Sequence, residues 1–83
     1  MKDRSRWEII LDLLEVIKGE KKAKKTRIMQ KAYLDWRNFG RYFEFLLEEK
    51  FISECNPGDG CYTITQTGEE LLKRLKGVKE MLG

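Results

Sequence analysis

The sequence predicts a mainly α-helical domain with a small β-hairpin, and three observations lead to that class. Apolar residues recur at helical spacing in four separate stretches. Two β-prone runs, 51–55 and 61–65, flank a loop of Asn, Pro, Gly and Asp, which is the pattern of a hairpin. With 83 residues, of which 41% are hydrophobic, the chain has room for one domain with a modest core. We therefore expect a single domain over 1–83.

The first helix is expected to begin at Ser5, since Ser5 and Glu8 have the spacing of a capping box. Gly19 can end this helix. The segment carries two apolar rows at helical spacing, which are Trp7, Ile10, Leu14 and Ile17, and Ile9, Leu13 and Val16. A helix with two apolar sides needs two neighbours, so we expect it to pack on the domain core and on a later helix or a second subunit.

A short second helix follows a charged link, 20–25. Thr26 can cap this helix, which is expected from 27 to 33. Its buried or half-buried positions are expected to be Ile28, Met29, Ala32 and Tyr33. Leu34 and Asp35 then make the turn into the third helix, and a connection this short is typical of a helix-turn-helix.

The third helix, expected over 36–49, has two unlike faces, and Asp35 is placed to cap its first turn. Its apolar stripe is Phe39, Phe43, Leu46 and Leu47. The opposite row, in steps of four, three and four residues, is Arg37, Arg41, Glu44 and Glu48. Arg pairs bidentately with guanine and Asn with adenine. The first half of the exposed face, with Arg37, Asn38 and Arg41, therefore has the side chains of a major-groove reader.

In the hairpin, alternation along a strand places Ile52, Tyr62 and Ile64 on the inner face. Cys55 and Cys61 flank the loop and can face each other across it. Two thiols with no His in the chain cannot make a structural zinc site. Reduced cysteines are the default inside cells, and a cross-strand disulfide stays open as the alternative.

The final helix is expected over about 66–82, and two starting points stay open. Thr65 can cap it, or Thr67 with Glu70 can form a second capping box. Four residues then step by four, three and four like the seam of a coiled coil, and Leu72 flanks the same side. The seam residues are Leu71, Leu75, Val78 and Leu82.

The net charge of +3 hides a strong asymmetry along the chain. Between Lys18 and Arg41, nine cations oppose two anions, so this segment carries +7. The remaining residues carry eight cations and twelve anions, or −4. A basic segment in an otherwise acidic chain is typical of a protein that binds a polyanion, whereas the alternative is a solvated lysine-rich loop.

The order helix, helix-turn-helix, hairpin and C-terminal helix is the winged-helix arrangement. Four stretches resemble small archaeal winged-helix DNA-binding proteins, namely 24–29, 39–47, 47–52 and 62–71. The last has the form Tyr-x-Ile-Thr-x-x-Gly-x-x-Leu. The chain is similar in particular to the crenarchaeal 10a family. That resemblance implies a DNA-binding homodimer joined by an antiparallel coiled coil, with a helix-turn-helix at about 26–50, a wing at about 51–65 and a dimerisation helix at about 66–82.

The site candidates follow from these patterns and from the resemblance. At DNA phosphates we expect Lys24, Lys25, Thr26 and Arg27, and in the major groove of double-stranded DNA we expect Arg37, Asn38 and Arg41. At the dimer interface we expect Leu71, Leu75, Val78, Leu82 and Phe45. Gly40 either permits close approach of DNA or packs tightly on a neighbouring element. Trp36 lies near the same end, but core packing is the commoner fate of Trp, so it is not a candidate.

Other function classes lack the residues they need. With no His, no Gly-rich phosphate loop and no activated Ser or Cys, the sequence gives no basis for an enzyme, a metal, a cofactor or a small-molecule ligand. No apolar run is long enough to span a membrane and the first residues do not resemble a signal peptide, so we expect a cytoplasmic, nucleoid-associated protein. The wing tip, 56–60, has an Asp and no Lys or Arg. This departure from the family pattern favours the alternative function, a winged helix that binds another protein and no DNA.

Overall fold

The computed structural model describes residues 5–56, 58 and 60–82, and this part of the chain forms four helices and a three-stranded antiparallel sheet. The elements in order are α1 (Arg6–Glu20), β1 (Ala23–Lys24), α2 (Lys25–Lys31), α3 (Trp36–Glu48), β2 (Ile52–Glu54), β3 (Cys61–Ile64) and α4 (Gln66–Leu82). The predicted class, mainly α with a small hairpin, is confirmed. None of the helices in the described ranges combines the length and apolarity that crossing a bilayer requires.

The sheet has the order β1-β3-β2, so the second strand of the hairpin is the central one. Ile52 lies opposite Ile64 in the hairpin, and Ala23 lies opposite Tyr62 on the other edge of β3. The sequence did not predict β1, because two residues are too few to show a strand period. Its pairing places the start of α2 directly beside the wing.

Helix α1 has the two neighbours that its two apolar sides require. Glu8 Oε1 accepts a hydrogen bond of 3.0 Å from the Ser5 amide, so the predicted capping contact at the start of the helix is present. Leu11, which lies in neither of the predicted rows, is only 1% exposed. The second side of α1 is covered by α4 of the same chain, and ion pairs such as Lys18 with Glu69, at 3.7 Å, flank this contact.

Helix α2 differs from its prediction at both ends. It begins at Lys25, so Thr26 lies inside the first turn and does not cap the helix. The reason is the β1 pairing, which keeps Lys24 extended (φ −79°, ψ 144°) and makes it the residue from which the helix starts. Tyr33, predicted to be buried or half-buried, is 88% exposed, because its left-handed backbone (φ 55°) ends the helical periodicity before this position.

Helix α3 has the predicted cap and the predicted buried face. Asp35 Oδ1 accepts a hydrogen bond of 2.8 Å from the Asn38 amide. Phe39 and Phe43 are each 1% exposed, and their ring centroids lie 5.0 Å apart. The Phe43 ring also meets Tyr62 of β3 edge to face, with 4.7 Å between centroids. These contacts fix the orientation of α3 on the core and therefore the direction of its exposed face.

Helix α4 starts from Thr65, the first of the two predicted alternatives. Thr65 Oγ1 accepts a hydrogen bond of 3.0 Å from the Gly68 amide and donates one of 2.6 Å to the Lys50 carbonyl oxygen. Thr67 lies within the first turn of α4, so the alternative start at Thr67 is wrong. A Cβ on Gly68 would collide with the Phe51 carbonyl oxygen, which explains why the Thr-x-x-Gly spacing needs glycine here.

Candidate nucleic-acid interface

The exposed face of α3 presents two arginines on its first half. Arg37 and Arg41 are both exposed, as are Glu44 and Glu48 further along the same row. Within the described part of the chain, no carboxylate forms an ion pair with Arg37 or Arg41. Both guanidinium groups can therefore pair with acceptors outside the protein.

Gly40 lies between the two arginines in sequence, and its environment bears on one of its two predicted roles, tight packing on a neighbouring element. A Cβ built on Gly40 meets nothing within 4 Å. Tight packing on an element in the described part of the chain therefore does not explain this glycine. Trp36, one turn earlier, is 74% exposed, so the expectation that core packing accounts for it is wrong. Trp36 is the first residue of α3.

The start of α2 meets the side of α3 through Lys25. Lys25 Nζ lies 5.2 Å from the centroid of the Phe43 ring, a cation–π distance. Lys24 is opposite Cys61 in the sheet, and the exposed Thr26 does not use its hydroxyl as a helix cap. These contacts bring the beginning of α2, the wing strand and the middle of α3 together, which the sequence alone did not establish.

Arg27 stands apart from the other candidates because its charge is already paired. Its Nε lies 3.0 Å from Glu20 Oε1, and Lys31 Nζ lies 2.9 Å from Glu20 Oε2. Hydrogen bonds from Lys31, and then from Arg27, lower the pKa of the Glu20 carboxyl. Arg27 and Lys31 are therefore paired within the basic segment itself, and a phosphate must compete with Glu20 for Arg27.

A groove of about 370 Å³ runs between the start of α1 and α3. Its lining residues are Arg6, Ile10, Asn38, Arg41, Tyr42 and Phe45. Asn38 Nδ2 donates a hydrogen bond of 3.2 Å to Asp35 Oδ2, so one amide hydrogen of this predicted adenine reader is engaged within the protein. Arg6 was not predicted as a site residue, because one Arg in the first turn of a helix carries no signal in the sequence.

The wing hairpin contributes no cation, since the sequence has no Lys or Arg from 51 to 65. A disulfide joins Cys55 to Cys61, with Cα atoms 5.5 Å apart. Gly58 and Gly60 both have positive φ, 91° and 70°, the conformation that glycine adopts readily. Asp59 of the predicted wing tip lies outside the described residues.

The residues predicted at the dimer interface have different environments. Leu71 and Leu75 are half-buried and pack against the core of their own chain, whereas Val78 is 42% exposed. Phe45 is 41% exposed and its ring centroid lies 6.0 Å from that of Phe51. The Leu82 side chain lies outside the described residues. Leu72, predicted to flank the seam, is instead 2% exposed and part of the core.

The helix-turn-helix, the wing and the exposed basic first half of α3 define the class of protein. The profile of the winged helix-turn-helix family matches residues 3–83. The chain belongs to that family.

Two relatives come from the archaeon Methanocaldococcus jannaschii. Uncharacterized protein MJ0290 is 39% identical over 79 residues, which are 95% of this chain and 36% of that protein. Uncharacterized protein MJ0287 is 38% identical over 79 residues, which are 95% of this chain and 77% of that protein. The chain therefore spans about a third of the length of MJ0290.

Two solved structures have a similar fold. Sso10a-2, a DNA-binding protein from Sulfolobus solfataricus, matches with a TM-score of 0.81 over 94% of this chain and 81% of that chain, at 23% identity. The multiple antibiotic-resistance repressor MarR from Listeria monocytogenes matches with a TM-score of 0.73 over 89% of this chain and 55% of that chain, at 17% identity. The predicted similarity to archaeal winged-helix proteins is confirmed, and at these identities the two structures establish the fold.

Proposed function

We propose that this protein binds double-stranded DNA and acts as a transcriptional regulator or chromatin-associated protein. The observation that carries the proposal is the exposed first half of α3, where Arg37 and Arg41 have no carboxylate partner among the described residues. Winged-helix proteins insert this helix into the major groove, where Arg reads guanine. A cytoplasmic, nucleoid-associated location follows from the same proposal.

The phosphate contacts come from the start of α2. Lys24, Lys25 and Thr26 are exposed there, and the Lys25 ammonium lies beside α3 through its contact with Phe43. Phosphate contacts of this kind orient a protein on the duplex without reading its sequence. Arg27 joins them only when a phosphate displaces Glu20. The wing, which has no cation, does not contribute a charged phosphate contact.

Two structural relatives support the proposal at the level of the fold. Sso10a-2 is described as a DNA-binding protein, and the Listeria MarR protein as a repressor. Because winged helices also bind proteins, the fold does not decide the function by itself. Arg37 and Arg41, which have no carboxylate partner among the described residues, are what favour DNA for this chain.

The proposal includes a homodimer in which the exposed end of α4 contacts a second copy. From Lys76 to Met81 every side chain of α4 is exposed, and Val78 and Met81 are 42% and 87% exposed. Exposed apolar side chains at the end of a helix favour association with another helix. Light scattering after size exclusion tests this, with Val78→Glu expected to give a monomer and Lys73→Glu, an exposed α4 position outside this end, as the control. A wild-type protein that is monomeric at all concentrations contradicts the dimer.

Fluorescence anisotropy of a labelled mixed-sequence duplex, titrated at several salt concentrations, tests the DNA proposal. We expect log affinity to fall with log salt by about 0.9 per phosphate contact. The Arg37→Glu/Arg41→Glu variant should lose binding. The Lys73→Glu/Arg74→Glu variant has the same change in net charge, on exposed positions of α4 outside the proposed dimer contact, and should keep most of the binding.

The outcomes separate the two functions. Binding that both double variants lose equally would mean that net charge, and not α3, drives association. No binding of the wild-type protein even at low salt would contradict the DNA proposal and favour the protein-interaction alternative. Circular dichroism of each variant checks that the helices are retained.

A further inference from the structure

The groove between the start of α1 and α3 places a cation that is distant in sequence beside the proposed reading face. Arg6 lines this groove from α1, whereas Asn38 and Arg41 line it from α3. Arg41 also belongs to the exposed row of α3, so the groove borders that row. Two guanidinium groups from separate helices therefore share one groove at the side of α3.

The charges of this groove are not balanced by a carboxylate in the described ranges. No carboxylate lines the groove, and none of the described carboxylates forms an ion pair with Arg6 or Arg41. Glu8, the carboxylate nearest to Arg6 in sequence, accepts hydrogen bonds of 3.0 Å from the Ser5 amide and 2.9 Å from the Ser5 hydroxyl. Two cations that share a groove without a carboxylate attract an anionic partner.

Arg6 and Lys25 approach α3 from different sides. Lys25 lies over the ring of Phe43, whereas Arg6 shares its groove with Tyr42 and Phe45. Since a helix turns by about 100° per residue, Phe45 points about 200° away from Phe43, and Tyr42 about 100° away. A helix that lies in the major groove has one phosphate backbone on each side of it. The two cations therefore do not face the same backbone.

We infer that Arg6 binds a phosphate of the DNA strand opposite to the strand that the start of α2 contacts, an inference that rests on the proposed function. An Arg suits this role, because its fork of N–H donors matches a phosphate and it never loses its charge. The wing has no Lys or Arg and cannot supply this contact. Arg6 and the start of α2 together hold the duplex on both sides of α3, which fixes the register in which Arg37 and Arg41 enter the major groove.

Fluorescence anisotropy of the full protein with a mixed-sequence duplex, at several salt concentrations, tests the phosphate contact. Arg6→Ala should reduce the slope of log affinity against log salt by about 0.9, the value for one phosphate contact. Arg6→Lys keeps the charge and should keep the slope. Lys73→Ala removes one exposed cation from α4 and is the control, which should leave the slope unchanged. Circular dichroism checks that each variant keeps its helices.

Replacement of single phosphates identifies the strand. A preferred site is selected from a random duplex library, and each of its phosphates in turn is replaced by an uncharged methylphosphonate. One replacement should weaken binding of the wild-type protein and leave binding of Arg6→Ala unchanged. A second replacement, on the opposite strand, should have the same relation to Lys25→Ala. A general loss of stability or of net charge does not produce such a match between one variant and one phosphate.

The results distinguish failure of this inference from failure of the proposed function. If Arg6→Ala keeps the wild-type salt slope, or if Arg6→Ala and Lys73→Ala lose slope equally, the inference is overturned and DNA binding stands. A matching phosphate on the strand that Lys25 contacts also overturns it, as does the absence of any preferred site, because the inference requires one register. If the wild-type protein binds no duplex even at low salt, the proposed function fails and this inference fails with it.

Discussion

Replacing Gly68 with Ala should destabilise the protein, although the same change normally stabilises a helix. Gly68 is in the first turn of α4, and Ala at an unconstrained helix position is favoured over Gly by about 1 kcal/mol. Here the new Cβ would overlap the Phe51 carbonyl oxygen and lie 2.9 Å from the Phe51 carbonyl carbon. Because both atoms belong to the backbone, no side-chain rotation relieves the contact.

The loss of stability in Gly68→Ala follows from the displacement of α4 that the new Cβ requires. Shifting the start of α4 away from Phe51 strains two hydrogen bonds. The Thr65 amide donates one of 3.0 Å to the Phe51 carbonyl oxygen, and the Gly68 amide donates the other, also 3.0 Å, to Thr65 Oγ1. A lost helix cap costs about 1 kcal/mol and a lost internal hydrogen bond about 1 kcal/mol. Overpacking adds about 1–3 kcal/mol. After the gain in helix propensity is subtracted, we expect a net loss of about 2–4 kcal/mol.

Urea denaturation at one fixed protein concentration measures this loss, since association would otherwise shift the midpoint. Gly77→Ala in the same helix is the control and should stabilise by about 0.5–1 kcal/mol, because its Cβ meets nothing within 4 Å. The same substitution, Gly to Ala, is therefore expected to lower the free energy of unfolding at position 68 and to raise it at position 77. A Gly68→Ala protein as stable as the wild type, with an unchanged denaturant slope, would refute the explanation given for this glycine.

Three further substitutions test other contacts. Glu20→Gln should remove a pH-dependent contribution to stability. Because the pKa of the Glu20 carboxyl is lowered in the folded protein, its ionised form stabilises the fold above the pKa that it has in the unfolded chain, and this contribution is lost as the pH falls through the folded-state pKa. Urea midpoints of the two proteins across acidic pH measure it. The same variant releases Arg27 and should steepen the salt dependence of DNA binding. Asp35→Ala should cost about 1 kcal/mol through its lost cap on Asn38, whereas Asp35→Ser should not. Lys25→Ala should reduce the salt slope by about 0.9, with Lys73→Ala as control.

Each of these expectations has a clear contrary result. If the difference in urea midpoint between the wild-type protein and the Glu20→Gln variant is the same at acidic and at neutral pH, the pairing of Glu20 is contradicted. Equal stability of the Asp35→Ala and wild-type proteins would mean that the cap is replaced by water. An unchanged salt slope for Lys25→Ala would exclude its ammonium from the phosphate contacts.

The elements that the sequence predicted well are those set by contacts between near neighbours. The cap of α3 by Asp35 and the burial of Phe39 and Phe43 follow from spacings of three or four residues. The exposure of Arg37 and Arg41 follows from the same periodicity. This part of the candidate site could therefore be predicted from the sequence alone.

What the sequence did not predict depends on residues that are distant in the chain. The strand β1 exists only because β3 pairs with it from the far side of the hairpin, and that pairing moves the start of α2 to Lys25. Glu20 pairs with Lys31, eleven residues away, across a turn and a strand. Tyr33 leaves the helical pattern through its positive φ, which periodicity cannot indicate. Such contacts can be identified only from the tertiary structure.

The central position of β3 has a consequence for the order of folding. β1 and β2 lie on opposite edges of β3 and do not pair with each other, so neither has a partner until Cys61–Ile64 is available. During synthesis, the helix-turn-helix emerges before the strand that joins it to the wing. The sheet closes a long loop between residues 23 and 62, and contacts of such separation form slowly because of their entropy cost. We therefore expect the helices to gain structure early and the start of α2 to become fixed last, when β3 docks.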